Sequence, residues 1–283
     1  METNLRTLGP NEAKAVLSFR EQGRSVVHAA DVIEVLGKEQ TARKVIRNLL
    51  RKGWLTRLVA GRYLFLPPEH GPENLGENNA LAIASAVVEP SYVGWWAAAS
   101  YHRFTTQKPT TISVATRRPL SARTIEGTEI RFVQVVERKF FGFKSYDLYG
   151  RAAMLSTPAK TLVDCLDRPD LAGGAAEVTR IVSGAAVDAS PEDVTDTALR
   201  MKSTALLQRL GFLSDLVGWT WPDALRARLR HAIVPSTRAV FGRAERKEGD
   251  IGYVAPWGLL VHARETELLA DVPKVKRSGS TGC

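Results

Sequence analysis

Apolar residues recur three and four apart over residues 39–52. Ala42, Val45, Ile46, Leu49 and Leu50 make one helical stripe. Arg43, Arg47 and Arg51 stand four apart on another face, with Lys44 and Asn48 beside them. Gly53 follows, and glycine suits the left-handed position that ends a helix. Upstream, Ala13, Val16, Leu17 and Phe19 predict a helix over 10–22 that Gly23 closes. Val32, Ile33 and Leu36 predict another over 29–36, closed by Gly37. Downstream, 54–58 and 62–66 read as strands around the turn Val59-Ala60-Gly61, where glycine allows positive φ. Residues 24–27 can add a short strand to this hairpin. Two short helices and a hairpin, in that order, predict a winged helix-turn-helix. Its second helix would enter the DNA major groove, with the hairpin as wing. Trp54 and Tyr63 lie among strand apolars, so they are read as packing and not as stacking platforms.

A break rich in proline, glycine and polar residues begins at Pro67-Pro68 and reads as a linker over 67–78. The expected domains are 1–66 and 79–275, and the break implies that 1–66 folds and binds DNA without the rest. The second domain opens with helices over 79–88 and 94–102, separated by a short strand at Tyr92-Val93. Trp95 and Trp96 among alanines suggest close packing. Residues 110–116 and 129–135 alternate with period two and read as strands, as do 145–149 and 152–155. Thr157-Pro158 supplies a cap and a first-turn proline for a helix ending near Leu166. Helices are expected over 171–183, 191–201, 204–217 and 222–231, then one strand within 257–261, and a frayed tail over 275–283. The fold class is α+β: a winged helix-turn-helix followed by a larger mixed α/β domain with strands early and helices late.

Charge sharpens this picture. The 283 residues are 44% hydrophobic, enough for two cores, and carry a formal net charge of +9. Residues 1–66 hold 12 Lys and Arg against 6 Asp and Glu, while the other 217 hold 27 against 24. Over 38–66 there are eight cations and one acid, Glu39. A merely solvated helix usually mixes signs along its surface. A polyanionic partner, operator DNA, follows. Gln40, Thr41, Arg43, Lys44 and Arg47 lie in the first two turns of the reading helix, where side chains reach base edges. Arg51, Arg57 and Arg62 are placed on phosphates, which give affinity without sequence.

The chemistry of catalysis is not apparent. Cys165 and Cys283 cannot form a disulfide framework. The five histidines show no metal-ligand spacing, and neither a phosphate loop nor a Gly-x-Ser-x-Gly elbow occurs. Asp164, Asp167 and Asp170 invite a metal reading, but no base or phosphate-binding element accompanies them. Arg226, Arg228 and Arg230 read as surface. The expectation is a protein that is not an enzyme and needs no metal or cofactor. Its first residues lack the build of a signal peptide, and no apolar run spans a bilayer, so a cytoplasmic protein without a membrane partner is expected.

The chain also resembles the AbiEi-type antitoxins of bacterial type IV toxin–antitoxin systems. Part of the likeness is the winged-helix stretch 45–55 with Gly61-Arg62-Tyr63. The more specific part is 156–174, Ser156-Thr157-Pro158-Ala159-Lys160-Thr161-Leu162-Val163-Asp164 onward, with Arg209-Leu210-Gly211-Phe212-Leu213 later. The resemblance implies two jobs. The winged helix would bind inverted repeats in its own promoter and repress the operon. The second domain would neutralise a nucleotidyltransferase-like toxin, in many cases without a stable complex. The implied DNA-contact role falls on the eight residues from Gln40 to Arg62 named above, and no second-domain residue receives a role. Two other readings stand beside it. One is a ligand-responsive winged-helix regulator with a small-molecule pocket in the second domain. The other is a nuclease tethered by the winged helix, which would need an acidic cluster ending in a Glu-x-Lys-type strand, absent here.

Overall fold

The computed structural model describes residues 7–24, 26–66, 77–125, 127–148 and 152–272. The first module runs α1 (Pro10–Glu21), β1 (Val26–His28), α2 (Ala29–Leu36), α3 (Glu39–Arg51), β2 (Leu55–Val59) and β3 (Arg62–Phe65). The strands form one antiparallel sheet in the order β1-β3-β2, so the short strand before α2 does pair with the hairpin. Gly37 at φ 74° closes α2, its amide donating to the Ile33 carbonyl at 2.7 Å, and so sets the turn into α3. The predicted stripe of α3 is the buried one: Ala42, Val45, Ile46 and Leu49 join Phe19, Val32, Trp54 and Tyr63 in one core. Trp54 stacks on Phe65, as packing requires.

Most of the expected linker, 67–76, lies outside the described residues. Residues 77 and 78 do not belong to it, because α4 (Glu77–Ala86) has already begun. Next come β4 (Ser91–Val93), α5 (Trp95–Tyr101), β5 (Thr111–Thr116), β6 (Arg123–Ile125), β7 (Thr128–Gln134), β8 (Phe143–Asp147) and β9 (Ala152–Ser156). They build a mixed sheet in the order β6-β7-β5-β4-β9-β8, in which β5 pairs parallel with β7 and β4 parallel with β9. The helices α6 (Pro158–Asp167), α7 (Gly174–Asp188), α8 (Pro191–Met201), α9 (Thr204–Val217) and α10 (Asp223–Ala232) follow. Then β10 (Val240–Gly242), β11 (Gly252–Val254), β12 (Leu259–His262) and the short α11 (Glu265–Leu268) close the described chain.

The α+β class is as expected, but the expected elements omit β6 and α11 and need amendment elsewhere. The helices are not the last large feature, since β10, β12 and β11 form a second three-stranded sheet. These strands are three or four residues long, too short to announce themselves by alternation. The helix expected over 171–183 begins at Gly174, because a 3-10 turn over Pro169–Leu171 intervenes, and extends to Asp188. Residues 273–283, including the expected tail, lie outside the described residues.

The large sheet separates two apolar layers. One face carries Tyr92, Ala115 and Met154 toward the helices α6 to α9. The other carries Val93, Val114, Ile130 and Leu155 toward Ala82, Ile83 and Val87. Leu58 and Leu64 of the β2–β3 hairpin are buried in this second cluster, with Val26, Val59 and Leu66 packed at its margin. The hairpin therefore gives one face to α1, α2 and α3 and the other to α4 and the large sheet.

Candidate nucleic-acid interface

The polar residues of α3 divide by job. On its outer face Gln40, Arg43, Lys44, Arg47 and Arg51 are exposed, and Thr41 is half-buried at its first turn. Arg43 pairs with Glu39 at 2.5 Å, but the side chains are 72% and 60% exposed. Such an exposed pair is weak. Arg51 touches Asn48 Oδ1 at 3.4 Å. The stripe predicted from the spacing of Arg43, Arg47 and Arg51 is thus a continuous cationic surface. Arg57 is exposed on β2 of the hairpin.

Two neighbours of this stripe serve the fold. Glu12, buried on α1, accepts from Asn48 Nδ2 at 2.8 Å, from Lys52 Nζ at 2.5 Å and from the Gly9 amide at 2.9 Å. Burial pushes the Glu12 carboxyl upward, but these donors outweigh it and hold the group below the usual carboxylate range. This cluster ties α1 to α3. The sequence offered a weak signal for it, an acid in the first turn of an otherwise apolar helix face.

Arg62 corrects the sequence reading. It was expected on a phosphate, yet it is buried, and its guanidinium donates to Glu89 in the loop after α4 at 2.5 Å. All four residues of β3 are buried because the hairpin is covered on both faces, so alternation cannot put Arg62 outside. Seven of the eight expected contact residues remain accessible, and Arg62 is buried against the loop after α4.

The middle of the 156–174 stretch that carries the AbiEi-type resemblance is interior. Every residue of α6 from Lys160 to Leu166 is buried. Thr157 caps the helix, and Ser156 Oγ meets Thr161 Oγ1 at 2.6 Å. Lys160 forms an ion pair with Asp164, donates to the Tyr92 hydroxyl at 2.9 Å and lies 5.2 Å from the Phe141 ring centre. Burial pushes the Asp164 carboxyl up, with Lys160 opposing it. Asp167 binds Lys139 at 2.5 Å, and Asp170 binds Arg168 through two nitrogens. The three aspartates thus have separate partners, and among the described residues no cluster suited to a metal occurs. Burial also raises the Cys165 thiol well above its ordinary value.

Arg209 joins the two resembling stretches. From α9 it donates to the α6 carbonyls of Leu166 at 2.8 Å and Asp167 at 3.2 Å, capping the helix end. Its guanidinium also reaches the Val240 carbonyl at 3.3 Å. Gly211, two residues on, has no room for a side chain: a Cβ there would lie 2.2 Å from the Trp257 ring. Trp96 donates to the buried Glu177 at 3.0 Å, so it packs as the alanine-rich context suggested. None of these contacts could be placed from spacing, since their partners lie far apart in sequence.

A separate cleft of about 730 Å³ opens between α4, α5 and the start of β5. Its walls include Leu81, Tyr101, Arg103, Lys108 and Asp147. No helix among the described residues is long and apolar enough to cross a membrane.

Comparison with known proteins agrees with this architecture. The chain is similar in fold to the RV2827C protein from Mycobacterium tuberculosis, with a TM-score of 0.60 at 19% identity, over 94% of this chain and 95% of that one. No curated protein matches it. A family model described as the AbiEi antitoxin C-terminal domain matches residues 92–216, from β4 to α9; the match contains the resembling stretches 156–174 and 209–213 but not the winged-helix stretch 45–55. Residues 92–216 are thus similar to the AbiEi antitoxin C-terminal domain, a match that covers under half of the chain.

Proposed function

We propose that this protein is an antitoxin that binds operator DNA through α3 and the hairpin, represses its own operon, and neutralises a nucleotidyltransferase-like toxin through its second domain. One observation carries the DNA part. An uninterrupted cationic face on α3, from Gln40 to Arg51, sits beside an exposed hairpin arginine in a module whose element order is that of a winged helix-turn-helix. The AbiEi family match of the second domain supports the antitoxin part. The working residues are Gln40, Thr41, Arg43, Lys44 and Arg47 toward bases, with Arg51 and Arg57 toward phosphates.

The chemistry is recognition without bond making. Gln and Arg present bidentate donors and acceptors to adenine and guanine edges. The phosphates supply affinity by counterion release, so binding weakens steeply with salt. The test pairs a promoter reporter with growth rescue during toxin co-expression, both proteins being made from an unrelated promoter. Arg43→Glu with Arg47→Glu is expected to abolish repression and spare rescue. Loss of both by a folded, expressed variant would falsify the division of labour.

A ligand-responsive regulator is the second reading, and the cleft beside α4 is the observation that favours it. A thermal-shift screen of small molecules separates the two. A hit that also moves operator affinity would favour the regulator.

A further inference from the structure

Beyond their last ladder pair, Thr116 opposite Gln134, β5 and β7 stay side by side. The Val135 amide donates to the Thr116 carbonyl at 2.9 Å, and the Gln134 side chain donates to the Arg117 carbonyl at 3.4 Å. The Thr116 hydroxyl donates to the Arg118 carbonyl at 2.7 Å. Arg117 grips Glu137 through both terminal nitrogens and lies 5.9 Å from the Phe140 ring centre. The backbone of this corner is therefore fixed on both strands.

What the corner presents outward is not used by the fold. Arg118 and Arg138 are exposed and form no ion pair among the described residues. Leu120 and Val136 beside them are 38% and 54% exposed. The near balance of charge in the second domain hides a local excess. Residues 117–139 hold six cations and three acids. Arg117 is taken by Glu137 and Lys139 by Asp167, so the surplus is arginine. The helix that carries most of the family likeness, α6, is buried from Lys160 to Leu166 and offers little contact surface.

We propose that this corner, built on Arg118, Leu120, Val136 and Arg138, is the surface by which the second domain meets an acidic protein partner. This rests on the antitoxin reading, in which that partner is the toxin. Exposed aliphatics flanked by arginines have the composition of a protein interface, where apolar groups and Arg are enriched. The guanidinium fork matches a carboxylate in two places. Nucleic acid fits less well. Leu120 and Val136 are exposed aliphatics that offer a phosphate nothing, whereas a protein surface can cover them. A corner already held by backbone and ion-pair contacts loses little freedom on binding.

The test uses the full chain with a photo-crosslinking residue at position 136, co-expressed with the nucleotidyltransferase-like protein of the neighbouring reading frame. Position 187 on α7, where Val187 is 78% exposed, is the control. A crosslink to the toxin from 136 and not from 187 is expected. Arg118→Glu with Arg138→Glu, and separately Val136→Asp, should cut surviving colonies on the order of tenfold. Operator affinity and melting temperature should stay unchanged. A crosslink to DNA, or a loss of operator affinity, would make the corner a nucleic-acid surface and overturn the proposal. No crosslink, with full rescue by both variants, overturns it too and leaves the antitoxin reading standing. Failure of the wild-type chain to rescue removes the antitoxin reading itself and the proposal with it.

Discussion

Arg62 on the hairpin and Glu89 after α4 form an ion pair at 2.5 Å, the arginine side chain 11% exposed and the glutamate 68%. The pair is buried at one end only. Removing the arginine leaves a solvated carboxylate, but removing the glutamate strands a buried guanidinium. Glu89→Ala is therefore expected to cost more than a surface ion pair does, about 1–3 kcal/mol. Urea unfolding of the full chain measures it, and a loss near zero would show that the pair is idle.

The same joint bears on truncation. Leu58 and Leu64 are 3% and 1% exposed because the second domain covers them. A 1–66 fragment exposes both, so it should unfold at lower urea than the same module in the full chain. Leu64→Ala in the full chain should cost about 2–5 kcal/mol. A fragment as stable as the intact module would mean that the shared cluster contributes nothing.

On DNA, Arg43→Ala and Arg47→Ala should each weaken operator binding by about 1–3 kcal/mol and relax base preference. Arg51→Ala and Arg57→Ala should weaken binding evenly across sequences and reduce the salt slope by about 1 each. Arg62→Ala should leave the slope alone, since this arginine faces Glu89. Titrations at several salt concentrations distinguish the three outcomes. A slope change for Arg62 equal to that for Arg51 would return it to the phosphate set.

The Glu12 cluster makes the first module acid-sensitive. Its carboxyl is held below the usual range when folded, against burial, by Lys52, the Gly9 amide and Asn48. The unfolded chain then binds more protons in acid, so this stabilisation is present above the unfolded pKa and lost as pH falls through the folded value. The stability gap between wild type and Glu12→Gln should be widest near neutrality and shrink below about pH 4. A gap that stays constant from neutral to acid pH would contradict the assignment.

The Lys160–Asp164 pair is fully interior, with Tyr92 accepting from the lysine and donating to Asp164 Oδ2 at 3.2 Å. Lys160→Met alone leaves a buried carboxylate unpaired and should cost about 3–5 kcal/mol. Lys160→Met with Asp164→Leu removes both charges and should recover most of that loss. Thermal melts of the single and double variants decide it, and a double variant as unstable as the single would show that the pair itself stabilises the fold.

Local physics was enough for much of this protein. Helical spacing marked α3 and its buried stripe, and Gly37 and Gly53 marked the ends of α2 and α3, because periodicity and positive φ are properties of neighbouring residues. The bounds of α8 and α9 were readable for the same reason. Charge counting located the cationic face of α3, since exposed like charges need no distant partner to be recognised. Tertiary structure decided the rest. Arg62 was indistinguishable from Arg57 until the second domain covered β3 and brought Glu89 to it. Asp164, Asp167 and Asp170 looked like a cluster until Lys160, Lys139 and Arg168 each claimed one. The short strand β10 joins its sheet only by pairing with β12, 20 residues away, which no local pattern encodes. A side chain's role follows its burial and partners, and for these residues both are set by contacts far along the chain.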